Sequence, residues 1–361
     1  MNLKKITNAL IQAFVITLLL NNITLAQGVR VVGSIQQTIP TASSKHGGMR
    51  AIKVEKSIQL LQVTLSEEAK QRLASRAKKA LTRRDDFSET SVIPKDSALP
   101  SKVEMGMNKV PVLDQGIHGT CSIFAVTGAI DAALGKGDYI SQLCSLQLGV
   151  YLEKQGHGLS GWNGAHTIST INRIETFGVV SLEKQKTEGC GGLKRYPTYS
   201  SRDNKAMMEP AEFSSKSELV FGKVLNWSDL YQEQDPIATL NDVKDALVRG
   251  DRVVLSLLIP DPELGAAGAV GRHNTWFFED TWVLTEDVLK NVEDVKSGHA
   301  IIITGYDDKA VAVDDHGDTH KGLLTLRNSW GGGAGDYGDF YMSYDYFKLL
   351  AYNVKRFTTT L

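Results

Sequence analysis

The chain has 361 residues, 42% of them apolar, and a formal net charge of −1. That is enough apolar material for a sizeable core and, at about 150 residues per domain, for two or three folding units. Basic and acidic residues nearly cancel, 40 against 41, so a nucleic-acid partner has no electrostatic support.

The first 26 residues begin with Lys4 and Lys5, pass through the apolar run Ala13 to Leu20, and end in Thr24-Leu25-Ala26. The run is too short to span a bilayer comfortably, and small residues close it, so residues 1–26 read as a secretory signal cleaved after Ala26. The expected location is therefore secreted or periplasmic, with no stable membrane association after cleavage. In such an oxidising space cysteines can pair.

Residues 27–100 read as a separate N-terminal extension. Thr41 to Gly48 is polar and loop-like, and Ile58 to Leu65 has the composition of a strand. Thr64-Leu65-Ser66-Glu67 is a capping-box pattern that opens a helix. That helix carries Leu65, Ala69, Leu73, Ala77 and Leu81 along one face and a basic opposite side. Its apolar stripe is part alanine, which suits weak packing on a neighbour better than insertion into a membrane. Arg83-Arg84 and the acidic, Ser- and Pro-containing stretch to Pro100 read as an exposed, cleavable linker.

The main domain is expected over residues 101–361. Its first strong signal is Gln115 to Phe124, QGIHGTCSIF. Apolar residues at helical spacing follow Cys121 until Gly135, a C-cap, so Cys121 should lie in the first turn of a buried helix. There the unpaired N–H groups and the positive end of the helix dipole favour a thiolate. Gln115 supplies a side-chain amide that, with the backbone N–H of Cys121, could hold the oxygen of an attacked carbonyl. Helices are expected next at Ser145 to Glu153 and at Ala165 to Phe177, with the glycine-rich segment Gly161-Trp162-Asn163-Gly164-Ala165 between them. Glu183 to Asp235 is charged and aperiodic. Then the pattern clears again: a helix at Leu240 to Gly250, a buried strand at Arg252 to Ile259, a strand at Ala300 to Thr304 opened by His299, another at Leu323 to Leu326, then Asn328-Ser329-Trp330-Gly331, and a strand at Gly338 to Met342.

The stretch PVLDQGIHGTCSIFA, the segment around His299 and the NSWG motif, in that order, resemble the nucleophile, histidine and asparagine segments of papain-like (family C1) cysteine peptidases. The resemblance implies an α+β fold of two subdomains, a helical N-terminal half and an antiparallel β-rich C-terminal half, with the active-site cleft between them. It implies catalytic roles for Gln115, Cys121, His299 and Asn328. His299 would be general base and acid, Asn328 would hold its ring, and Trp330 would shield that bond from water. Gly161, Asn163, Gly164 and Trp330 would contact substrate, glycine allowing close approach of an extended chain. His299 comes later than the roughly 130–150 residue separation of that pattern, so an insertion of a few tens of residues is expected at about 183–235. The family's disulfide between the nucleophile loop and the glycine-rich segment cannot form, because its two positions are His118 and Trp162. If Cys121 is the nucleophile, Cys144 and Cys190 can pair, though nothing in the sequence fixes their separation. Ser122, Ala165 and Ala334 also depart from the family pattern along the expected cleft.

The resemblance thus implies a cysteine peptidase acting on a peptide or protein substrate; the signal segment makes it a secreted one, and position alone, ahead of the main domain, makes residues 27–100 its expected propeptide and inhibitor. No cofactor and no metal are expected. His316 and His320 among nearby aspartates read as a solvated loop rather than a metal site. Two other functions fit the same segments: a catalytically silent binding module, and an amidase or transpeptidase acting on cell-wall or isopeptide bonds.

Overall fold

The computed structural model describes residues 28–43, 52–82, 99–275 and 278–360. The expected signal segment and the dibasic linker lie outside the described residues.

The extension forms a long antiparallel hairpin, β1 (Val29–Ser43) and β2 (Ile52–Leu65), followed by helix α1 (Glu67–Thr82). The helix starts two residues later than a Thr64 cap would give, because Thr64 is paired in the sheet with Arg30. Ser66 takes the capping role, its Oγ accepting the Ala69 N–H at 3.2 Å. Ala69, Leu73 and Ala77 are the buried stripe of α1, as the spacing predicts.

The first half of the main domain, after β3 (Lys102–Glu104), is helical: α2 (Cys121–Leu134), α3 (Gln142–Lys154), α4 (Thr167–Phe177), α5 (Leu182–Glu188) and α6 (Pro210–Lys216). Helix α2 is apolar all round and buried from Cys121 to Ala132, so it runs through the core rather than along the surface. It stops where Gly135 adopts the left-handed conformation at φ 66°. The second half carries β4 (Leu225–Asp229), α7 (Pro236–Val248), β5 (Arg252–Ile259), β6 (Gly271–Arg272), β7 (Thr281–Trp282), α8 (Glu286–Lys290), β8 (Ser297–Asp314), β9 (Thr319–Arg327), β10 (Asp339–Ser343), α9 (Tyr344–Leu350) and β11 (Ala351–Thr359).

These strands follow the order β4-β11-β5-β8-β6-β7-β10-β9, and β8 also pairs with β9. The pairings are antiparallel except β7 with β10. The architecture is α+β, a helical half against an antiparallel-rich sheet. Strand β8 is the hinge of the arrangement. Its N-terminal half lies between β5 and β9 and takes in β2 of the extension at Leu61↔Gly298 and Gln62↔Ser297.

Residues 183–235, unreadable in sequence, fold into α5, α6 and β4. Their intervening loop is tied to α3 by a Cys144–Cys190 disulfide, Cα–Cα 5.0 Å. The segment lacks periodicity because it packs as short pieces against an existing core, burying single residues such as Met208 and Phe213.

Candidate active site

Cys121 is the first residue of α2 and is fully buried. Thr120 precedes it as N-cap without a side-chain cap bond; its hydroxyl instead shares a 2.9 Å hydrogen bond with the Tyr196 hydroxyl. The thiol lies against the backbone N–H of Ala300, the residue after His299, which joins the helical wall to the sheet wall. Burial pushes the thiol up to about 11, outweighing the N–H groups that pull it down. The thiolate expected from the helix position is therefore not the form of this covered state.

His299 opens β8 opposite Leu257 and is also fully buried. Its Nε2 meets Asn328 Oδ1 at 2.9 Å. That oxygen also accepts the Ser329 N–H at 2.7 Å, so it is an acceptor, and Nε2 carries the ring proton. The Nδ1 lone pair is left without a hydrogen-bond partner. Trp330 stacks on the imidazole, ring centroids 4.7 Å apart, and is itself fully buried. Burial pushes His299 down to about 4, against the pull of the Asn328 bond. The resting pair is a neutral thiol and a neutral imidazole.

Gln115 is oriented by both ends of its amide. Oε1 accepts from Ser329 Oγ at 2.8 Å, leaving Nε2 to donate to His118 O and to Gln59 O, each at 2.9 Å. Gln59 belongs to β2, so the extension places a backbone carbonyl on the amide that sequence analysis assigns to a reacting carbonyl. The hairpin touches both walls around that point. Val31 N donates to His166 Nε2 at 3.1 Å, Ala42 N to Gly333 O at 2.8 Å, and Leu61 pairs with Gly298 beside His299.

Of the expected substrate contacts, Gly164 meets the hairpin most closely. A Cβ there would sit 2.4 Å from Gly33 O, so only glycine at φ 95° admits that backbone. Gly161 at φ 102° forms a bridge with Gly164, and Asn163 is exposed and bridged through its backbone to Gly119. Trp330 lies beneath His299 rather than on an open wall, and its carbonyl accepts from Lys56 of β2 at 2.7 Å. Ser122 donates to Ala165 O at 2.6 Å, a use for the hydroxyl at a position where the family pattern has an aromatic ring.

His118 and Trp162 are in edge contact, centroids 4.9 Å apart, so an aromatic pair joins the nucleophile turn to the glycine-rich segment. Tyr196, from the 183–235 segment, stacks on Trp162 and donates its hydroxyl to Gln115 O at 2.8 Å. Sequence reasoning missed Tyr196 and the hairpin contacts of Gln59 and Lys56, because no local pattern marks a residue that acts from across the fold. Among the described residues no cluster of three His, Cys, Asp or Glu side chains could hold a metal, and no helix is long and apolar enough to cross a membrane. His320 is paired with Asp314 at 3.1 Å.

A helix-borne cysteine, a strand-borne histidine held by an asparagine, and a glutamine amide bonded to the residue after that asparagine thus lie at the seam of a helical and a sheet half. The chain is similar in structure to papain-like cysteine proteases. Xylellain, a cysteine protease from Xylella fastidiosa, aligns over 73% of this chain and 88% of its own at 21% identity and TM-score 0.46. Digestive procathepsin L 3 of Tenebrio molitor larval midgut aligns over 74% and 72% at 20% identity and TM-score 0.47. The proform of the ragweed pollen cysteine protease Amb a 11 aligns over 74% and 66% at 17% identity and TM-score 0.44. No protein-family model matches the chain, and no curated protein does.

Proposed function

We propose that the chain is a secreted cysteine peptidase made as a zymogen, its hairpin being the propeptide that covers the site. The observation that carries this reading is that Asn328 holds the His299 ring, its neighbour Ser329 holds the Gln115 amide, and the Cys121 thiol lies against the N–H of Ala300 next to His299. With the hairpin gone, water reaches the site, the desolvation penalty falls, and proton transfer from Cys121 to His299 gives a thiolate and an imidazolium. The thiolate attacks the peptide carbonyl, and the developing oxyanion takes hydrogen bonds from the Gln115 amide and the Cys121 N–H. His299 gives its proton to the leaving amine, the C–N bond breaks, and an acyl-enzyme remains. His299 then takes a proton from water, whose oxygen displaces Cys121. Asn328 holds the ring in one orientation throughout by accepting its Nε2–H, and Trp330 keeps water from their bond.

The Gln59 carbonyl supports the oxyanion assignment, since a neutral amide oxygen already occupies the position beside Gln115. One observation favours a silent binding module instead: the thiol and the imidazole are both buried in their neutral forms. Intact-mass labelling with a thiol-directed epoxide separates the two. The chain is folded whole and cleaved in the linker after folding, beside Cys121→Ala and His299→Ala variants and the uncleaved form. A single adduct on Cys121 that needs His299 and forms slowly in the uncleaved chain is the expected result. No adduct in the cleaved, folded protein sinks the catalytic reading.

A further inference from the structure

The Lys56 side chain of β2 ends in a cage unlike an ordinary surface ion pair. Its Nζ lies 2.8 and 2.7 Å from the two carboxylate oxygens of Asp114 and 2.7 Å from Trp330 O, so three acceptors meet the three donors of one ammonium. The Tyr199 ring stands 5.4 Å from Nζ, and the Tyr199 hydroxyl donates to Asp114 Oδ2. Gly116 N donates to Asp114 Oδ1 at 2.9 Å, which fixes the carboxylate. Space for the ammonium depends on Gly331 at φ 76°: a Cβ there would stand 3.2 Å from Nζ and 2.9 Å from Asp114 Oδ2. Asp114 and Lys56 expose only 26% and 15% of their side chains, so the pair is weakly screened.

The position of the cage gives it a meaning. Asp114 immediately precedes Gln115, and Lys56 lies three residues before Gln59 on the same strand. One extended segment thus presents a backbone carbonyl to the amide and an ammonium to the cage at the same time. We propose that Asp114, the Trp330 carbonyl, Tyr199 and Gly331 form a subsite for the ammonium of a lysine side chain, filled by Lys56 while the hairpin is docked and by a substrate lysine once it leaves. A tetrahedral ammonium with a compact charge suits three oxygens around one point, whereas a planar guanidinium requires acceptors arranged as a fork. The substrate half of this proposal rests on the peptidase reading; the ammonium cage does not.

The cage is tested in the full chain by chemical rescue. Lys56→Ala removes three methylenes and the ammonium, and should speed iodoacetamide labelling of Cys121 about tenfold, the scale of lost charge-assisted hydrogen bonds. Millimolar n-propylammonium should restore slow labelling, n-propanol should not, and the Lys56→Ala, Asp114→Asn double variant should show no rescue. Absence of acceleration or of rescue overturns the cage. The substrate half is tested on the chain folded whole and cleaved in the linker, with peptide pairs in which lysine replaces norleucine at successive positions. A preference of about tenfold for lysine at one position, collapsing to about one in Asp114→Asn, is expected. A flat profile overturns the subsite and leaves the cage as a hairpin contact. Rescue by propylammonium with no peptide cleaved at all sinks the peptidase reading while the ammonium cage stands.

Discussion

Replacing both Cys144 and Cys190 by alanine cuts the tie between α3 and the segment that carries Tyr196. The bridge spans 46 residues, and the loop-closure entropy it removes from the unfolded chain corresponds to about 4 kcal/mol. Both residues are fully buried among Ile123, Leu146, Trp162, Met208 and Phe213, so alanine is the better choice, a serine hydroxyl there lacking a partner. For a domain of this size a loss of that order lowers Tm by roughly 8–16 °C. The effect should also be directional. The 190–199 stretch holds Tyr196 against Gln115 O and Thr198 O against Ile117 N, so amide exchange should accelerate at residues 115–120 more than in β5 or β11. Calorimetry gives the first quantity and peptide-resolved hydrogen exchange the second. A double variant that melts within 2 °C of the parent, with unchanged exchange at 115–120, would refute the reasoning.

Gln115→Ala should lower kcat by about 10²–10³, the cost of removing one oxyanion donor, with a much smaller change in KM; equal loss through KM alone would point to a binding role. Asn328→Ala leaves the buried Nε2–H of His299 without an acceptor, and should reduce kcat/KM by about tenfold to a hundredfold while costing about 1–3 kcal/mol of stability. Two buried groups contribute pH dependence on opposite sides of neutrality, the acid one opposed by Asp131, whose carboxyl burial pushes up to about 7. The buried His299 sits at about 4 where the free group is at 6.5, so the unfolded chain takes up the proton first and stability is lost as pH falls through that window. Cys121 sits at about 11 where a free thiol is at 9.0, so the unfolded chain ionises first and stability is lost again as pH rises from about 9 to 11. Cys121→Ala should flatten the alkaline limb between about 9 and 10, below the range where tyrosines pushed up by burial, Tyr346 and Tyr352 among them, begin to contribute; an unchanged slope there in a denaturant titration would refute the assignment.

The candidate site was legible because its chemistry is concentrated in short local signals. Cys121 announces itself by a helix that begins with it and ends at Gly135, and His299 by the apolar strand it opens. The Arg252 to Ile259 strand is readable for the same reason, eight consecutive buried residues. What escaped were contacts made between elements remote in sequence. Gln59 meets Gln115 across 56 positions and Tyr196 across 81, and neither lies in a periodic pattern. The helix at Ser145 to Glu153 was placed too late because its cap, Ser141, stands before a stretch, Gln142 to Cys144, that is buried on every side and so shows no amphipathic contrast. The protonation states could not be read at all. A helix N-terminus favours the thiolate locally, but the burial of Cys121 in the assembled fold outweighs it.

The aromatic contact between His118 and Trp162 has a consequence for how the protein meets reductants. With Cys144 and Cys190 joined, Cys121 is the free thiol of the chain, and the fastening nearest to it contains no sulfur. Reducing conditions mild enough to leave the buried Cys144–Cys190 bridge intact can therefore return an oxidised Cys121 to the thiol without loosening the turn that carries Gln115. Oxidation of Cys121, in turn, finds no second free thiol within the molecule to close a disulfide with. Its protection must come from its own burial or from a small thiol outside the molecule.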